Sequence, residues 1–174
     1  MTWTAPNTAA AGALIRAAYH NTFIRDNLEH LYANLPKRAT MWHEESTVVA
    51  GNALARTIQT SAAYNYVMSQ NTPAINDEFT NSFVVGEGTY TLYLLGATGA
   101  SDGQVDWYVD DVLVASAQDW YSASPTYNQQ KTVADVVIAE GGYHVLRGIV
   151  AGKNASSSNY RLLLTKMWLA QASD

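Results

Sequence analysis

Cysteine is absent from this 174-residue sequence, which excludes disulfide bonds, zinc–thiolate sites and a cysteine nucleophile and leaves the redox compartment undecided. Charged residues are also scarce, at 14% of the chain, well below the roughly one quarter of an average folded protein. With a formal net charge of −5, the chain lacks the basic footprint of a nucleic-acid-binding protein. A protein surface with so few charged residues depends on uncharged polar side chains for solubility, or is partly covered by other subunits.

Long apolar runs are missing as well. No run approaches the length of a membrane span, so we expect no membrane insertion. The N-terminal stretch AAAGAL follows Asn7 and Thr8 and lacks the basic residues of a secretory signal peptide. We therefore expect synthesis in the cytoplasm without export. The length suits one domain, or a small domain with an appendage, and is sufficient to bury a core.

A single helix is predicted near the start of the chain. Residues 1–13 are rich in small residues and contain Pro6, which is typical of an extended arm. From Leu14 to Leu35 the pattern is helical, and Pro36 ends it because proline cannot continue the hydrogen-bond ladder. We assign residues 14–45 to this helix and a linker that serve oligomerisation and docking.

An apolar seam runs along the predicted helix at alternating spacings of four and three residues. One interpretation is an amphipathic helix that packs on its own domain, since such helices share most of this spacing. The other is a bundle of helices from several chains, which a strict seven-residue repeat with a single buried Asn favours. We therefore expect a homo-oligomer, and the flanking Arg25 and Glu29 can pair weakly. The seam consists of Ala17, Asn21, Ile24, Leu28, Leu31 and Leu35.

Residues 46–174 read as ten short strands separated by clusters of turn residues. In GTYTLYLLG, the face with Tyr90, Leu92 and Leu94 is opposite the face with Thr89, Thr91 and Tyr93. In QVDWYV, Val105, Trp107 and Val109 share one face in the same way. One apolar face and one polar face is typical of a sandwich strand. The expected fold class is mostly β: an N-terminal arm and single α-helix followed by an antiparallel jelly-roll β-sandwich.

Two predicted strands, GYHVLRGIVA and NYRLLLTKMWLA, are apolar on both faces. In the second, one face carries Leu163, Met167 and Leu169, and the other carries Leu164 and Trp168. We expect the second face of each strand to be covered by another element or buried between subunits.

Catalytic and metal-binding patterns are not evident. The four histidines lack metal-ligand spacing, and His144 reads as a structural histidine within a strand. No nucleophile elbow, P-loop or dinucleotide fingerprint occurs. Asp110 and Asp111 fall where VDDVLV needs its hairpin turn, which argues against a glycosidase pair. Loop oxygens of Asp102, Asp110 and Asp111 would suit calcium, but no EF-hand spacing supports this. We expect no enzyme activity, metal or cofactor.

Aromatic residues stand out in the stretch QDWYSASPTYNQQ. The rings and amides of Trp120, Tyr121, Tyr127 and Asn128 suit the face of a sugar or a protein partner, because each ring offers apolar area beside polar groups. The alternative is that these rings plug one end of the sandwich. Both interpretations remain open from the sequence.

The N-terminal residues resemble small bacteriophage virion proteins of the tail-fibre or minor structural type. TWTAP at residues 2–6 matches their Trp-Thr-x-Pro arm, and NTFIRDNL at residues 21–28 matches their Asn-Thr-x-x-Arg-Asp-Asn-Leu stretch. The chain departs from the pattern at Ala13, Arg16 and His20.

The resemblance implies a virion structural protein on the tail or head surface, displayed as a homotrimer. It also implies docking onto other virion proteins through Trp3, Pro6, Arg25 and Asp26. In that setting, our hypothesis is that the exposed aromatic residues recognise a glycan or protein of the host surface.

The C-terminal half resembles jelly-roll modules of the carbohydrate-binding kind. The similarity lies in GTYTLYLLGATGASDGQVDWYVDDVLV and in GGYHVLRGIVAGKNASSSNYRLLL, although Asp111 replaces the usual hairpin glycine. This resemblance implies fold more than function. Two alternatives to the tail-fibre interpretation therefore stay open: a capsid decoration protein and a carbohydrate-binding module.

Overall fold

The computed structural model describes residues 24–31, 34–42, 45–50, 54–58, 66–70 and 74–171, with the backbone alone for 48–50, 54–58 and 66–70. Within these residues, one helix, α1 (residues 24–31), precedes eleven strands. The strands are β1 (Arg38–Trp42), β2 (Thr47–Ala50), β3 (Leu54–Ile58), β4 (Tyr66–Gln70), β5 (Glu78–Val85), β6 (Gly88–Thr98), β7 (Gly103–Val109), β8 (Val112–Asp119), β9 (Thr126–Ile138), β10 (Gly142–Lys153) and β11 (Leu163–Gln171). No helix in the described part of the chain is long and apolar enough to cross a membrane.

The strands form two antiparallel sheets that pack into a sandwich, which confirms the predicted fold class. Sheet A has the order β3-β4-β11-β6-β9, and β1 also pairs with β11, from Arg38 opposite Ala170 to Trp42 opposite Lys166. Sheet B has the order β2-β5-β10-β7-β8. We call the end with the turns at residues 86–87, 110–111 and 139–141 the turn end. The opposite end, with residues 99–102, 120–125 and 154–162, is the loop end.

The core lies between the sheets and consists of the side chains that the alternation pattern predicts. Tyr90, Leu92 and Leu94 of β6 and the inward residues of β7 are buried, whereas Thr89, Thr91 and Tyr93 point away. In sheet B, the rings of Phe79 and Trp107 meet edge to face, with centroids 5.8 Å apart and planes 81° apart. Burial of such alternate apolar side chains drives the two faces together.

The two strands predicted to be apolar on both faces occupy central positions in the sheets. In β11, a register shift between Leu164 and Lys166 changes which residues face inward. Both Leu163 and Leu164 are buried before the shift, whereas after it Met167 is buried and Trp168 is partly exposed. The outward face of β11 is therefore covered near Leu163 and open to solvent near Trp168.

The β7–β8 connection is the two-residue hairpin that the sequence predicted at Asp110-Asp111. Val109 pairs with Val112, and the two aspartates have φ angles of 48° and 65°. Two successive residues with positive φ are typical of a type I′ turn, which matches the twist of the flanking strands.

Helix α1 ends earlier than Leu35, so the predicted helix end is wrong. Asn34 Nδ2 donates to the carbonyl oxygen of His30 at 2.7 Å, and Asn34 N–H donates to Leu31 O at 3.2 Å. A side chain that satisfies one of the last carbonyls ends a helix in this way. Leu35 lies in the following bend, beside Gly86 and Gly141, so it does not belong to the seam.

The predicted linker contains a strand that the sequence did not reveal. β1 (Arg38–Trp42) pairs with β11, and Met41 is fully buried in the core. The strand has only five residues, and two of its outward residues, Arg38 and Thr40, are polar, so the apolar pattern is too short to recognise. The predicted arm and the residues Trp3, Pro6, Ala17 and Asn21 lie outside the described residues.

Candidate functional site

An aromatic cluster lies on the outer face of sheet A. Tyr93 of β6 and Trp168 of β11 are register partners, and their rings are stacked with centroids 5.0 Å apart and planes 8° apart. Lys166 points to the same face two residues before Trp168, and its register partner is Trp42 of β1. Its Nζ lies 5.0 Å from the Trp168 ring centroid and 5.3 Å from that of Trp42. We call Trp42, Tyr93, Lys166 and Trp168 the aromatic stack.

Hydroxyl groups flank the aromatic stack across neighbouring strands. Thr40 of β1 lies opposite Trp168, and Thr132 of β9 lies opposite Tyr93. These side chains form one row because outward residues of paired strands lie side by side. Trp42 is the most open ring of the stack, with 39% of its surface exposed. The face thus combines apolar rings, an ammonium group and hydroxyls.

Such a surface suits a flat polyhydroxylated ligand. Indole and phenol rings contribute apolar area, and the Tyr and Thr hydroxyls both donate and accept hydrogen bonds. A sugar ring has the matching pattern, with C–H groups on its face and hydroxyls around its edge. Contact between Tyr93 and Trp168, and between each indole and Lys166, holds the rings in place before a ligand arrives.

The predicted ligand contacts in QDWYSASPTYNQQ do not form one exposed surface. Trp120 is fully buried in the core, so its ring closes the loop end, as the alternative interpretation had it. Tyr127 packs against Ala97 and Leu163. Tyr127 and Asn128 also belong to β9, which begins at Thr126, rather than to a loop. The half-buried Tyr121 remains at the loop end, where its N–H donates to Asp119 Oδ1 at 2.9 Å.

The sequence alone did not predict the aromatic stack, because its members come from three separate strands. Tyr93 and Trp168 are 75 positions apart, and Trp42 lies in a strand that was not predicted. The available signal was the outward position of Tyr93 in β6 and of Trp168 in β11. Only the register of β11 with β1 and β6 stacks Tyr93 on Trp168 and places Trp42 beside Lys166.

The loop end is organised around a buried ion pair. Asp102 is fully buried, and Arg161 Nε donates to its Oδ1 at 2.7 Å. Burial raises the pKa of Asp102, and the hydrogen bond and positive charge of Arg161 partly offset this rise. Ser157 Oγ donates to Asp102 O, and Arg161 N–H donates to Ser101 O. These contacts tie two loops together, so the pair reads as a positioning element.

The aspartates considered for calcium cannot share one ion. Asp102 lies at the loop end, whereas Asp110 and Asp111 lie at the turn end, separated by the length of β7. Seven residues of strand span about 20 Å. In the part of the chain that the structure describes, no three His, Asp or Glu side chains form a group that could hold a metal ion.

His144 has the structural role that the sequence predicted. It is buried, and its Nδ1 lies 2.6 Å from Asp110 Oδ2, while Asp110 Oδ1 accepts from Val145 N–H at 2.9 Å. These bonds fasten the β7–β8 hairpin to β10.

The described seam residues of α1 are exposed rather than packed on the domain. Ile24, Leu28 and Leu31 retain 44%, 46% and 58% of their surface. On the flank, Arg25 Nη2 lies 3.1 Å from Asp26 Oδ1, and its Nε lies 3.7 Å from Glu29 Oε1, the pairing that the sequence predicted. The docking role of Arg25 and Asp26 stays a prediction.

No family model matches the chain, and no curated protein matches it either. Solved structures share its fold. A xanthan lyase from Paenibacillus is 22% identical with a TM-score of 0.67, over 79% of this chain, which spans only 13% of the lyase. The CBM36-1 domain of a multidomain xylanase from the hindgut metagenome of Trinervitermes trinervoides is 14% identical with a TM-score of 0.58, over 79% of this chain and 99% of that domain. A carbohydrate-binding module CBM36, solved with calcium and xylotriose, is 14% identical with a TM-score of 0.51, over 75% of this chain and 98% of the module.

These similarities correct the main functional prediction. The sandwich has the jelly-roll fold of carbohydrate-binding modules and matches two of them over nearly their whole length. The prediction of a phage virion structural protein, whether tail fibre or capsid decoration, is therefore wrong. The alternative of a carbohydrate-binding module agrees better with these findings. The N-terminal resemblance falls largely outside the described residues, and no comparison bears on it or on the predicted homotrimer.

Proposed function

We propose that this chain is a non-catalytic carbohydrate-binding module that holds a glycan on the aromatic stack. The observation that carries the proposal is the outward cluster of Trp42, Tyr93 and Trp168, with Lys166 and two threonine hydroxyls beside it. Ring faces and hydroxyls in one surface are what sugar recognition requires. The fold shared with carbohydrate-binding modules supports the same proposal.

The charge of the stack favours an acidic glycan. Lys166 lies over both indoles, and within the described residues no carboxylate lies within 4 Å of its Nζ. Its positive charge is therefore available to a ligand, and a carboxylate on a sugar would form a charge-assisted hydrogen bond with it. Xanthan carries such carboxylates, whereas xylotriose is neutral.

Calcium does not enter this proposal. One module of similar fold was solved with calcium and xylotriose, but no three His, Asp or Glu side chains among the described residues of this chain form a group that could hold a metal ion. Its Asp102 is engaged with a cation of the protein itself, Arg161. Binding on the aromatic stack is therefore expected to be unaffected by a calcium chelator.

Isothermal titration calorimetry with xanthan, birchwood-type xylan and xylotriose tests the proposal. We expect binding to at least one polysaccharide, and Trp168→Ala should weaken it at least tenfold, about 1.4 kcal/mol. Trp42→Ala provides a second variant, because the larger exposed fraction of that ring makes unfolding a lesser concern. Thermal unfolding of each variant shows whether the fold is retained.

Tyr160→Ala is the matched control. Tyr160 also lies under a lysine, with Lys153 Nζ 5.0 Å from its ring, but at the loop end. This variant should bind as the wild type does. If Tyr160→Ala weakens binding while Trp168→Ala and Trp42→Ala do not, the glycan site lies at the loop end and the assignment to the stack is wrong. If no glycan binds, the proposed function itself fails.

A further inference from the structure

Helix α1 presents an apolar face that the described residues leave exposed. Ile24, Leu28 and Leu31 lie on one side of the helix, because residues separated by four and then three positions are adjacent there. All three are about half exposed. The neighbouring Asn27 is instead buried, with only 9% of its surface exposed. In the described part of the helix, a polar side chain is therefore buried while three apolar side chains are exposed, which is unfavourable for an isolated chain.

A second apolar surface lies at the turn end. Val84, Val112, Val137 and Tyr143 are each between 45% and 69% exposed, and we call them the rim patch. Val84 and Tyr143 are register partners on β5 and β10. Val112, Val137 and Tyr143 line an open groove of about 660 Å³ between the edge strands β8 and β9. Contiguous exposed apolar residues of this kind mark interaction surfaces.

The chain fastens α1 to this same end of the sandwich. After the cap at Asn34, Leu35 lies beside Gly86 and Gly141, and Gly86 N–H donates to Pro36 O at 2.9 Å. Lys37 Nζ donates to Glu87 O at 3.2 Å, and Lys37 O accepts from Gln171 N–H. Gly86 and Gly141 are each two positions from a member of the rim patch. Residues 34–37 are thus held at the turn end beside the rim patch, and Asn34 also bonds to the carbonyl oxygen of His30 in α1.

We propose that copies of this chain associate through the seam of α1, with their rim patches brought together at the turn end. A second copy is the fitting partner because it carries the same stripe, and a seven-residue stripe packs best against another of the same kind. The sequence continues the stripe upstream at Asn21 and Ala17.

The area of the interface explains why both surfaces are needed. A stable interface covers roughly 800 Å² on each partner, which three half-exposed aliphatic side chains cannot supply. The rim patch adds four further exposed side chains to the contact. Asp110, Asp135 and Glu140 surround the groove, so like charges approach one another in the assembly. Added salt screens them and should strengthen association.

Association has a consequence for glycan binding that rests on the proposed function. Several copies held at their turn ends present several aromatic stacks, one on each sheet A. Linked sites bind a polymeric surface with an avidity that exceeds the affinity of one site by 10²–10⁴ where geometry allows. Assembly should therefore change retention on an immobilised polysaccharide and leave the affinity for a soluble trisaccharide unchanged.

Light scattering coupled to size-exclusion chromatography tests the association on the full chain without glycan. We expect a multiple of the 19.0 kDa monomer mass that persists in high salt. Leu28→Lys should raise the dissociation constant at least tenfold and shift the population toward monomer. Ile75→Lys is the matched control, because Ile75 is 49% exposed against 46% for Leu28 but lies near the loop end. It should leave the mass unchanged.

Two outcomes overturn the proposal. A monomeric wild type at high micromolar concentration shows that the seam has no partner of its own kind. An oligomer that survives Leu28→Lys, Leu31→Lys and Val137→Lys, with unfolding curves like that of the wild type, shows that another surface holds it. Because the mass is measured without glycan, failure of the carbohydrate proposal leaves this result interpretable.

Discussion

Gly148 leaves the space in sheet B that two core rings occupy. It lies in the middle of β10, opposite Phe79 of β5 on one side and Trp107 of β7 on the other. The rings of these two neighbours meet edge to face over the glycine. A Cβ at position 148 would lie 2.5 Å from Phe79 Cζ and 3.1 Å from Trp107 Cζ3. We therefore expect Gly148→Ala to displace at least one ring.

The magnitude follows from three opposing contributions. Overpacking a filled core costs about 1–3 kcal/mol, and disturbing an edge-to-face ring pair costs about 0.5–1.5 kcal/mol. Replacing a strand glycine by alanine returns about 0.5–1 kcal/mol through backbone entropy. The net loss is about 2 kcal/mol. For a chain of this size that lowers the melting temperature by about 4–8 °C.

Chemical denaturation monitored by tryptophan fluorescence measures this loss, with Gly152→Ala as the control. Gly152 lies on the same strand, and an added Cβ there would meet nothing nearer than Gln104 Oε1 at 3.4 Å. That variant should be as stable as the wild type or slightly more so. Phe79→Leu should cost less in the Gly148→Ala protein than in the wild type, because it relieves the crowding. Equal stability of the two glycine variants would refute the packing argument.

Three further predictions concern charges and the hairpin. Because the pKa of Asp102 is raised in the folded state, the stability that this group contributes is lost as pH rises from its unfolded-state pKa toward its folded-state pKa. Denaturation at a series of pH values measures this loss. The unfolding free energy of the wild type minus that of Asp102→Asn should fall over this pH range. Lys166→Met should reduce the affinity for xanthan several-fold in calorimetry, remove its dependence on salt, and leave any affinity for xylotriose nearly unchanged. Asp111→Gly should raise the unfolding free energy by about 0.5–1 kcal/mol, because φ at this position is 65° and the lost ion pair with Arg147 involves an exposed carboxylate.

The sandwich could be predicted because its signals are local in the chain. Alternation in β6 and β7 identifies buried and outward side chains without knowledge of any partner strand. The Asp110-Asp111 hairpin was predictable for the same reason, since the turn and both strands lie within a few residues. β1 was missed because Met41 contributes to the core from a strand of only five residues.

The helix and the aromatic loop show where local signals fail. The heptad spacing includes Leu35 in the seam, but the Asn34 side chain ends the helix before that position. The composition of QDWYSASPTYNQQ is typical of an exposed binding loop, yet Trp120 is fully buried. Whether an aromatic side chain is buried or exposed depends on the space between the sheets, which no short stretch of sequence encodes.

The amino-acid order alone establishes an antiparallel sandwich, the faces of its regular strands, one hairpin and an apolar seam on a helix, because each depends on residues close together in the chain. The aromatic stack, the buried Asp102–Arg161 pair and the shared position of the seam and the rim patch come from strand register and sheet order. Tyr93 stacks on Trp168, and Trp42 lies on the same face beside Lys166, only because β11 pairs with β1 on one side and β6 on the other. Such long-range pairing is set by burial of the whole core.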